Sequence, residues 1–467
     1  MNNRHFIAIL NISGDITLYQ YNEDEAGFHT SQVPFDQRKD SATCFAITEV
    51  LLIYGSDIGV LSILHIDSSR HIESCQLQHL SGIAQIFPNR LGTAIVFIDE
   101  SKDGFVYQPN EAEMVPIPAF PRNVKTLFWD EEYRGVFYAF DGQNIHIFTH
   151  NPISIRGPTV FKHGDVELGE DGAFEIKPHP FSISCNLFPF MSVNGNLLCH
   201  SVEEERQIRT VFSPASERFD SDGTTSADAV RNFFRNVLLL RLNDAFKDAF
   251  EIKIDTYWKA LANKSLEFFE LLIARNVFQM LGDAGMVRIL ESLEWVEDKF
   301  FIMGRIYSLF NDYDSAQENY LASLNPYEAL QMREDLNHLE AAISLSEDLF
   351  PQEMARLSLK SAEELESHRD FKESMNVLKK AVQFHERHVL HPTDKTLQKC
   401  KGGIARASIH LGDIENGIKI ARHTNDVHII GQCVDILQSI DNSEKARELL
   451  NVQEQIERAN SNTKERS

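Results

Sequence analysis

Residues 49–66 read EVLLIYGSDIGVLSILHI, two apolar strand-like runs separated by a polar turn that ends at Gly59. Val, Ile and Tyr favour extended strands, whereas Gly and Asp occupy tight turns because they tolerate positive φ. The alternation of apolar and turn residues therefore predicts an antiparallel β-hairpin.

The hairpin pattern recurs along the first half of the chain. A Gly/Asp or Gly/Asn turn precedes an alternating apolar run at five places, marked by Gly14, Gly59, Gly104, Gly142 and Gly195. These glycines are 45, 45, 38 and 53 residues apart, which is close to the roughly 40 to 45 residues of a four-stranded WD-type blade. We therefore predict repeated blades.

Further strand-like runs accompany each turn. Before the five turns stand HFIAILNI, EVLLIYG, TAIVFID, GVFYAF and FPFMSV, and upstream of the last four stand ATCFAIT, GIAQIF, NVKTLFW and FSISCNLF. We interpret the upstream runs as the inner strands of blades, of which the first blade has none. The Gly-His and strand-ending Trp-Asp pairs typical of WD repeats are absent, since Trp129-Asp130 falls at the wrong place in its repeat.

These features predict a multidomain chain, β then α, that begins with a degenerate, partial WD40-like β-propeller of about five blades over residues 1–215. An incomplete ring would leave unpaired backbone groups at its edges, where a partner could bind. A β-sandwich with irregular loops is the alternative interpretation.

The second half has a different pattern. Residues 216–228 are polar and acidic and predict a linker, in which Thr225 and Asp228 resemble a helix-capping pair. From 229 to 455 apolar residues recur at spacings of three and four, the period of amphipathic helices. Residues 456–467 are predicted to be a polar tail.

Several predicted helix pairs share one signature: a polar turn, a small residue, and a larger apolar residue four positions later. Asp312 leads to Ala316 and Tyr320, and similar segments begin at Asp370 and Asp413. Small residues let paired helices approach closely, while large ones pack against the next repeat. The pattern predicts a solenoid like that of tetratricopeptide (TPR) repeats, with irregular repeat lengths.

Composition restricts the classes of partner. The chain has 45 Lys and Arg against 69 Asp and Glu, a net charge of −24. Nucleic-acid-binding proteins concentrate cations, so we expect no nucleic-acid partner, and an acidic surface favours basic protein partners. No run of about 20 apolar residues occurs, so no membrane span is predicted.

The sequence predicts no catalytic, cofactor-binding or metal-binding residues, and no cofactor. His368-Arg369-Asp370 resembles a kinase catalytic triplet, but Met375 stands where such a site needs Asn. We interpret the triplet as the turn of a helix pair. No phosphate-binding glycine loop or nucleophile elbow is present, so we expect no enzyme.

A histidine cluster is the remaining candidate for a metal site. His385, His388 and His391 have helical spacing, yet Pro392 is expected to end the helix there and no Cys joins them. A surface or packing role is favoured.

One stretch, about 258–380, resembles a known family. Its Trp-x-x-Leu entry, its Asp-Tyr-Asp-x-Ala-Gln turn and its Asn-Pro-x-x-Ala-Leu-x-Met-Arg run are similar to those of the WD repeat-containing protein 19 family, the propeller and tetratricopeptide subunits of intraflagellar transport complex A (IFT-A). The family has two propellers before a long solenoid, so the resemblance implies the remainder of the second propeller and the beginning of the solenoid.

The resemblance implies a non-catalytic scaffold that supports retrograde ciliary transport, cilium assembly and ciliary entry of membrane proteins. The implied partners are other IFT-A subunits and ciliary cargo adaptors, in the axoneme, at the basal body and in the cytoplasm, with a peripheral coat at membranes as a further role. The alternative is a coatomer-like vesicle-coat or tethering subunit outside the cilium, because such proteins use the same order of propeller and solenoid.

Overall fold

A computed structural model describes residues 5–22, 27–32, 41–66, 72–202, 207–219, 225–387 and 395–464. The chain divides into two compact units, Met1–Trp295 and Val296–Ser467. The first unit combines strands and helices, and the described residues of the second form helices joined by turns.

Five small antiparallel sheets follow one another along the first unit. Sheet 1 has three strands, β1 (His5–Leu10), β2 (Ile16–Asn22) and β3 (Gly27–Gln32). Sheet 2 comprises β4 (Ala42–Ile47), β5 (Leu51–Ser56), β6 (Val60–His65) and β7 (Ile72–Gln78). Sheet 3 comprises β8 (Ile83–Pro88), β9 (Ile95–Asp99), β10 (Gly104–Gln108) and β11 (Glu113–Pro116).

The later strands complete the series. Sheet 4 comprises β12 (Thr126–Trp129), β13 (Val136–Phe140), β14 (Asn144–Asn151) and β15 (Thr159–Lys162). A separate hairpin of β16 (Gly164–Leu168) and β17 (Phe174–Pro178) follows, and then β18 (Phe181–Ser182), which pairs with β14. Sheet 5 comprises β19 (Leu187–Val193), β20 (Asn196–Ser201) and β21 (Ile208–Phe212).

The five predicted hairpins are all present, as β1–β2, β5–β6, β9–β10, β13–β14 and β19–β20. The innermost strands β1, β4, β8, β12 and β19 adjoin one another in chain order. Five small sheets in sequence are the arrangement of propeller blades, whereas a sandwich has two larger facing sheets. The propeller-type prediction is confirmed.

The predicted inner strand FSISCNLF of the fifth repeat is wrong. Phe181-Ser182 pairs with the beginning of β14 instead, and a turn in which the Leu187 amide donates to the Ser184 carbonyl (3.0 Å) redirects the chain into β19. The alternating apolar residues of this segment resemble a strand, but the turn interrupts its pairing. The inner strand of sheet 5 is therefore β19 itself.

Apolar layers fill the spaces between consecutive sheets. Strand β9 contributes to two layers at once, because Ile95 and Phe97 pack towards Ile53 and Ile63 of sheet 2, while Val96 packs with side chains of sheet 4. Successive side chains of a strand point to opposite faces, so a strand buried on both sides is apolar at nearly every position. That is why β9 reads IVFID and β13 reads VFYAF.

The hairpin β16–β17 packs against the first helices of this unit. The sequence did not predict this contact. The helices of this unit are α1 (Thr225–Leu238), α2 (Leu242–Ile252), α3 (Asp255–Glu267), α4 (Leu271–Leu281) and α5 (Ala284–Leu293). Leu168 and Phe174 of the hairpin pack against a helical core that includes Trp258. Gly172, at φ +80°, lies so close that a Cβ there would be 2.6 Å from the Ala260 nitrogen. Only glycine fits this approach.

The second unit is a series of helices. They are α6 (Lys299–Leu309), α7 (Tyr313–Ala322), α8 (Tyr327–Asp335), α9 (Leu339–Asp348), α10 (Met354–Ser367), α11 (Phe371–Arg387), α12 (Lys395–His410), α13 (Ile414–Thr424), α14 (Val427–Ser439) and α15 (Ser443–Lys464). The predicted linker overlaps α1, which begins at Thr225, and α15 continues through most of the predicted polar tail. The domain limits stay a prediction.

The predicted helix-pair signature coincides with close packing. Ala316 and Tyr320 of α7 are fully buried, and the Asp312 side chain caps α7 by accepting a hydrogen bond from the Ser315 amide at 3.2 Å. His368-Arg369-Asp370 forms the turn between α10 and α11, with Arg369 in the left-handed conformation (φ 63°). Such a residue ends a helix and begins a turn.

Two helical glycines give a matched test of this packing. A Cβ on Gly304 of α6 would lie 2.7 Å from the buried ring of Tyr320, whereas one on Gly431 of α14 would meet only the Gln453 amide, at 3.7 Å. We expect Gly304→Ala to reduce the free energy of unfolding by about 1 to 3 kcal/mol through overpacking. Gly431→Ala should raise it by about 0.5 to 1 kcal/mol through helix propensity. Urea unfolding followed by circular dichroism measures both, and shifts of the same sign would contradict the packing.

Candidate protein-binding site

A buried carboxylate joins sheet 4 to sheet 5. Asp130 directly follows β12, is 8% exposed, and accepts six hydrogen bonds of 2.6 to 3.3 Å. The donors are the amides of Glu132, Tyr133, Asn194 and Gly195 and the hydroxyls of Tyr138 and Ser192. A buried carboxylate is stable only when hydrogen bonds replace its lost hydration, and these do so from two sheets.

The preceding residue joins sheet 4 to sheet 3. The Trp129 indole Nε1 donates to the Phe87 carbonyl of β8 at 2.9 Å, and its ring packs on Phe137 with a centroid distance of 5.0 Å. Trp129-Asp130 does not stand where a WD repeat places its Trp-Asp pair. Its two side chains nevertheless tie together three consecutive sheets.

A cavity of about 770 Å³ lies beside this pair. Its walls come from the β4–β5, β8–β9, β10–β11 and β12–β13 connections, from the end of β14, and from Leu240 between α1 and α2. The volume is within the range of about 300 to 1,000 Å³ that is usual for ligand sites. The ends of several sheets therefore enclose one recess.

Two buried polar side chains that line the cavity each have one atom without a hydrogen-bond partner among the described residues. Nε2 of His150 and Oε1 of Gln108 have no hydrogen bond to any described residue, although the two residues are only 3% and 9% exposed. Buried polar atoms are paired in the great majority of cases, so each such exception calls for an explanation. Both atoms are buried within the wall and have almost no surface exposed to the cavity.

The backbone fixes the position of His150. Its amide donates to the Gly135 carbonyl at 2.8 Å, and a Cβ on Gly135, at φ +78°, would lie 2.3 Å from the His150 carbonyl oxygen. Glycine is therefore required at this contact. Burial lowers the pKa of His150 to about 4, so the imidazole is neutral at pH 7.

The charges at the cavity are partly compensated. Arg90 and Glu49 form an exposed ion pair at 3.1 Å, and Asp130 is satisfied as described. Exposed Glu111, Glu131 and Arg134 also line the cavity and form no ion pair with the described residues. Among the described lining residues, two carboxylates and one guanidinium therefore have no ion-pair partner.

Only one member of the predicted histidine cluster lies within the described residues. His385 is buried in α11, and His388 and His391 lie outside the described residues. No group of His, Cys, Asp or Glu in the described ranges could hold a metal ion. Among the helices the structure describes, none is both long enough and apolar enough to cross a bilayer.

The cavity was not predicted from the sequence. Its polar residues are far apart in the chain and form no motif, although the displaced Trp129-Asp130 pair and Gly135 stand next to it. Only the packing of three sheets brings Gln108 and His150 to one recess.

Consecutive blade-like sheets followed by paired helices define the class of WD-type propeller proteins with a helical solenoid. Residues 5–175 match the family model described as the WDR19 second beta-propeller. The predicted resemblance to WD repeat-containing protein 19 is confirmed.

The similarity to curated relatives extends beyond the sheets. The chain is 29% identical to WD repeat-containing protein 19 of Homo sapiens over 410 residues, 87% of this chain and 28% of the human protein. For the Mus musculus protein the values are 30% over 420 residues, 89% and 29%. WD repeat-containing protein dyf-2 of Caenorhabditis elegans is 25% identical over 455 residues, 96% and 31%. The chain thus spans about three tenths of the length of these relatives.

The Asp130 network predicts a large loss of stability in Asp130→Asn. An amide in place of the carboxylate presents its own N–H groups to donors, so we expect the free energy of unfolding to fall by about 2 to 4 kcal/mol. Glu132→Gln is the control, because that side chain is exposed and should change stability by less than about 0.5 kcal/mol. Equal stability of the two variants in urea unfolding would refute the role of Asp130.

Buried histidines predict that acid weakens the first unit. Burial lowers the pKa of His150 to about 4 and that of His163 to about 3, from 6.5. Because the histidines take up protons on unfolding, the free energy of unfolding falls as the pH drops below about 6.5. For His150 alone the fall is about 2 kcal/mol at pH 5. Urea unfolding at pH 7 and pH 5 measures this fall. It should be smaller in His150→Gln, and an equal fall in the variant would contradict the assignment.

Proposed function

We propose that the chain is a non-catalytic scaffold subunit of the intraflagellar transport complex A. The observation that carries the proposal is that its similarity to WD repeat-containing protein 19 covers 87% of the chain and thus includes both the sheets and the helices. In such a scaffold, we expect the sheets and the helices each to bind different neighbouring subunits.

The physical character of the two regions supports a binding role. Buried contacts such as those of Trp129 and Asp130 hold neighbouring sheets together. We expect the loops between their strands to offer binding surfaces of fixed shape. Stacked helix pairs form an extended surface to which each repeat contributes a part, and such surfaces suit extended contacts with other proteins. The net charge of −24 favours partners with basic patches.

The proposal includes partners and location. The chain would contact other complex A subunits and ciliary cargo adaptors, at the axoneme and basal body and in the cytoplasm. Through them it would support retrograde transport, cilium assembly and entry of membrane proteins, with a peripheral coat at membranes as a further role. A coatomer-like coat or tether is the second candidate, because it shares the order of sheets and solenoid.

Affinity purification separates the two candidates. The tagged chain is expressed in ciliated cells, and co-eluting proteins are identified by mass spectrometry against cells that express the tag alone. We expect several complex A subunits. Asp130→Asn serves as a second bait, since contacts that need intact sheets should weaken while those of the solenoid persist. Recovery of coatomer or tethering subunits, or of chaperones only, would refute the proposal.

A further inference from the structure

We propose that the cavity beside Trp129 binds a linear segment of a partner protein, one that carries a Lys or Arg side chain next to apolar residues. The inference rests on the proposed protein-binding function and assigns a ligand class to one place on the first unit. Two features of the cavity support it: exposed apolar side chains in its wall and, among the described lining residues, more carboxylates than cations without an ion-pair partner.

The apolar part of the wall is exposed to solvent. Leu91 and Ile153 line the cavity while 65% and 55% exposed, and exposed Pro152 lines it as well. Binding an apolar side chain here removes that surface from water, at about 25 cal/mol per Å². Aromatic and aliphatic anchors in a recess are the usual centre of a protein interface.

The charges of the lining residues favour a ligand that carries a positive charge. Glu111 and Glu131 are exposed carboxylates at the cavity, and Arg134 is the one lining cation that forms no ion pair within the part of the chain that the structure describes. Within a chain of net charge −24, this balance attracts a cation and repels an acidic segment. A Lys or Arg of the bound segment would lie beside these carboxylates.

Rigidity strengthens the case for a preformed site. Buried hydrogen bonds hold Asp130 and Trp129 in place in the cavity wall. The close contact with Gly135 fixes the backbone position of His150. A recess that is already in shape spends little free energy on ordering when it binds.

The test starts from a phage-displayed library of random linear peptides, panned on the purified full-length chain. Selected peptides are then titrated by fluorescence anisotropy against the wild type, against Glu111→Lys/Glu131→Lys, and against Glu113→Lys. Glu113 is exposed on β11 and does not line the cavity, so it controls for the effect of a single Glu→Lys charge reversal outside the cavity. All three side chains are exposed, which lets the variants fold.

We expect selected peptides to carry Lys or Arg beside an apolar residue, and the double variant to weaken their binding about tenfold or more. Glu113→Lys should bind like the wild type, and added salt should weaken the wild-type complex. Peptides without a cationic residue, equal binding to the double variant, or no selected peptide at all would overturn the inference.

The affinity purification described above distinguishes the two proposals. If complex A subunits co-purify but the peptide test fails, the cavity inference is wrong and the scaffold proposal stands. If peptides bind as expected but coat or tether subunits co-purify, the cavity binds a partner of a different assembly.

Discussion

Burial of both faces of each central strand is the constraint on which the first unit depends. A strand such as β9 or β13 has no solvent face, so its sheet needs a neighbour on each side. The series of sheets follows from this need, and sheets 1 and 5 are the first and last sheets that the structure describes. There Ile7 and Ile9 of β1, at 52% and 50%, and Phe188 and Phe190 of β19, at 40% and 45%, are exposed.

Polar contacts act on top of this packing. Apolar layers are tolerant of small rotations between sheets, whereas the hydrogen bonds of Asp130 have fixed directions and specify one arrangement. The same arrangement leaves Gln108 and His150 unpaired at the cavity. Neighbouring residues therefore differ: Asp130 is satisfied within the protein, whereas Oε1 of Gln108 and Nε2 of His150 are not.

Local patterns predicted the hairpins and the helix pairs, because each depends on residues within one repeat. Gly59 and Gly195 have the positive φ of tight turns, and Ala316 and Tyr320 are buried as their spacing suggested. The role of Trp129-Asp130, the pairing of β18 with β14 and the packing of β16–β17 on the helices could not be predicted in this way. Each depends on contacts between residues that are distant in the sequence, and no short motif encodes them.

The packing of hairpin β16–β17 on α1–α4 also determines which fragments of the chain can be studied alone. A fragment that ended at residue 228 would retain Leu168 and Phe174 but remove Trp258 and the other helical residues that cover them. One aromatic and one aliphatic side chain of the hairpin would then lose their helical cover and become more exposed to water. Proteolysis or expression trials should therefore yield a stable piece that extends to the end of the first unit at Trp295.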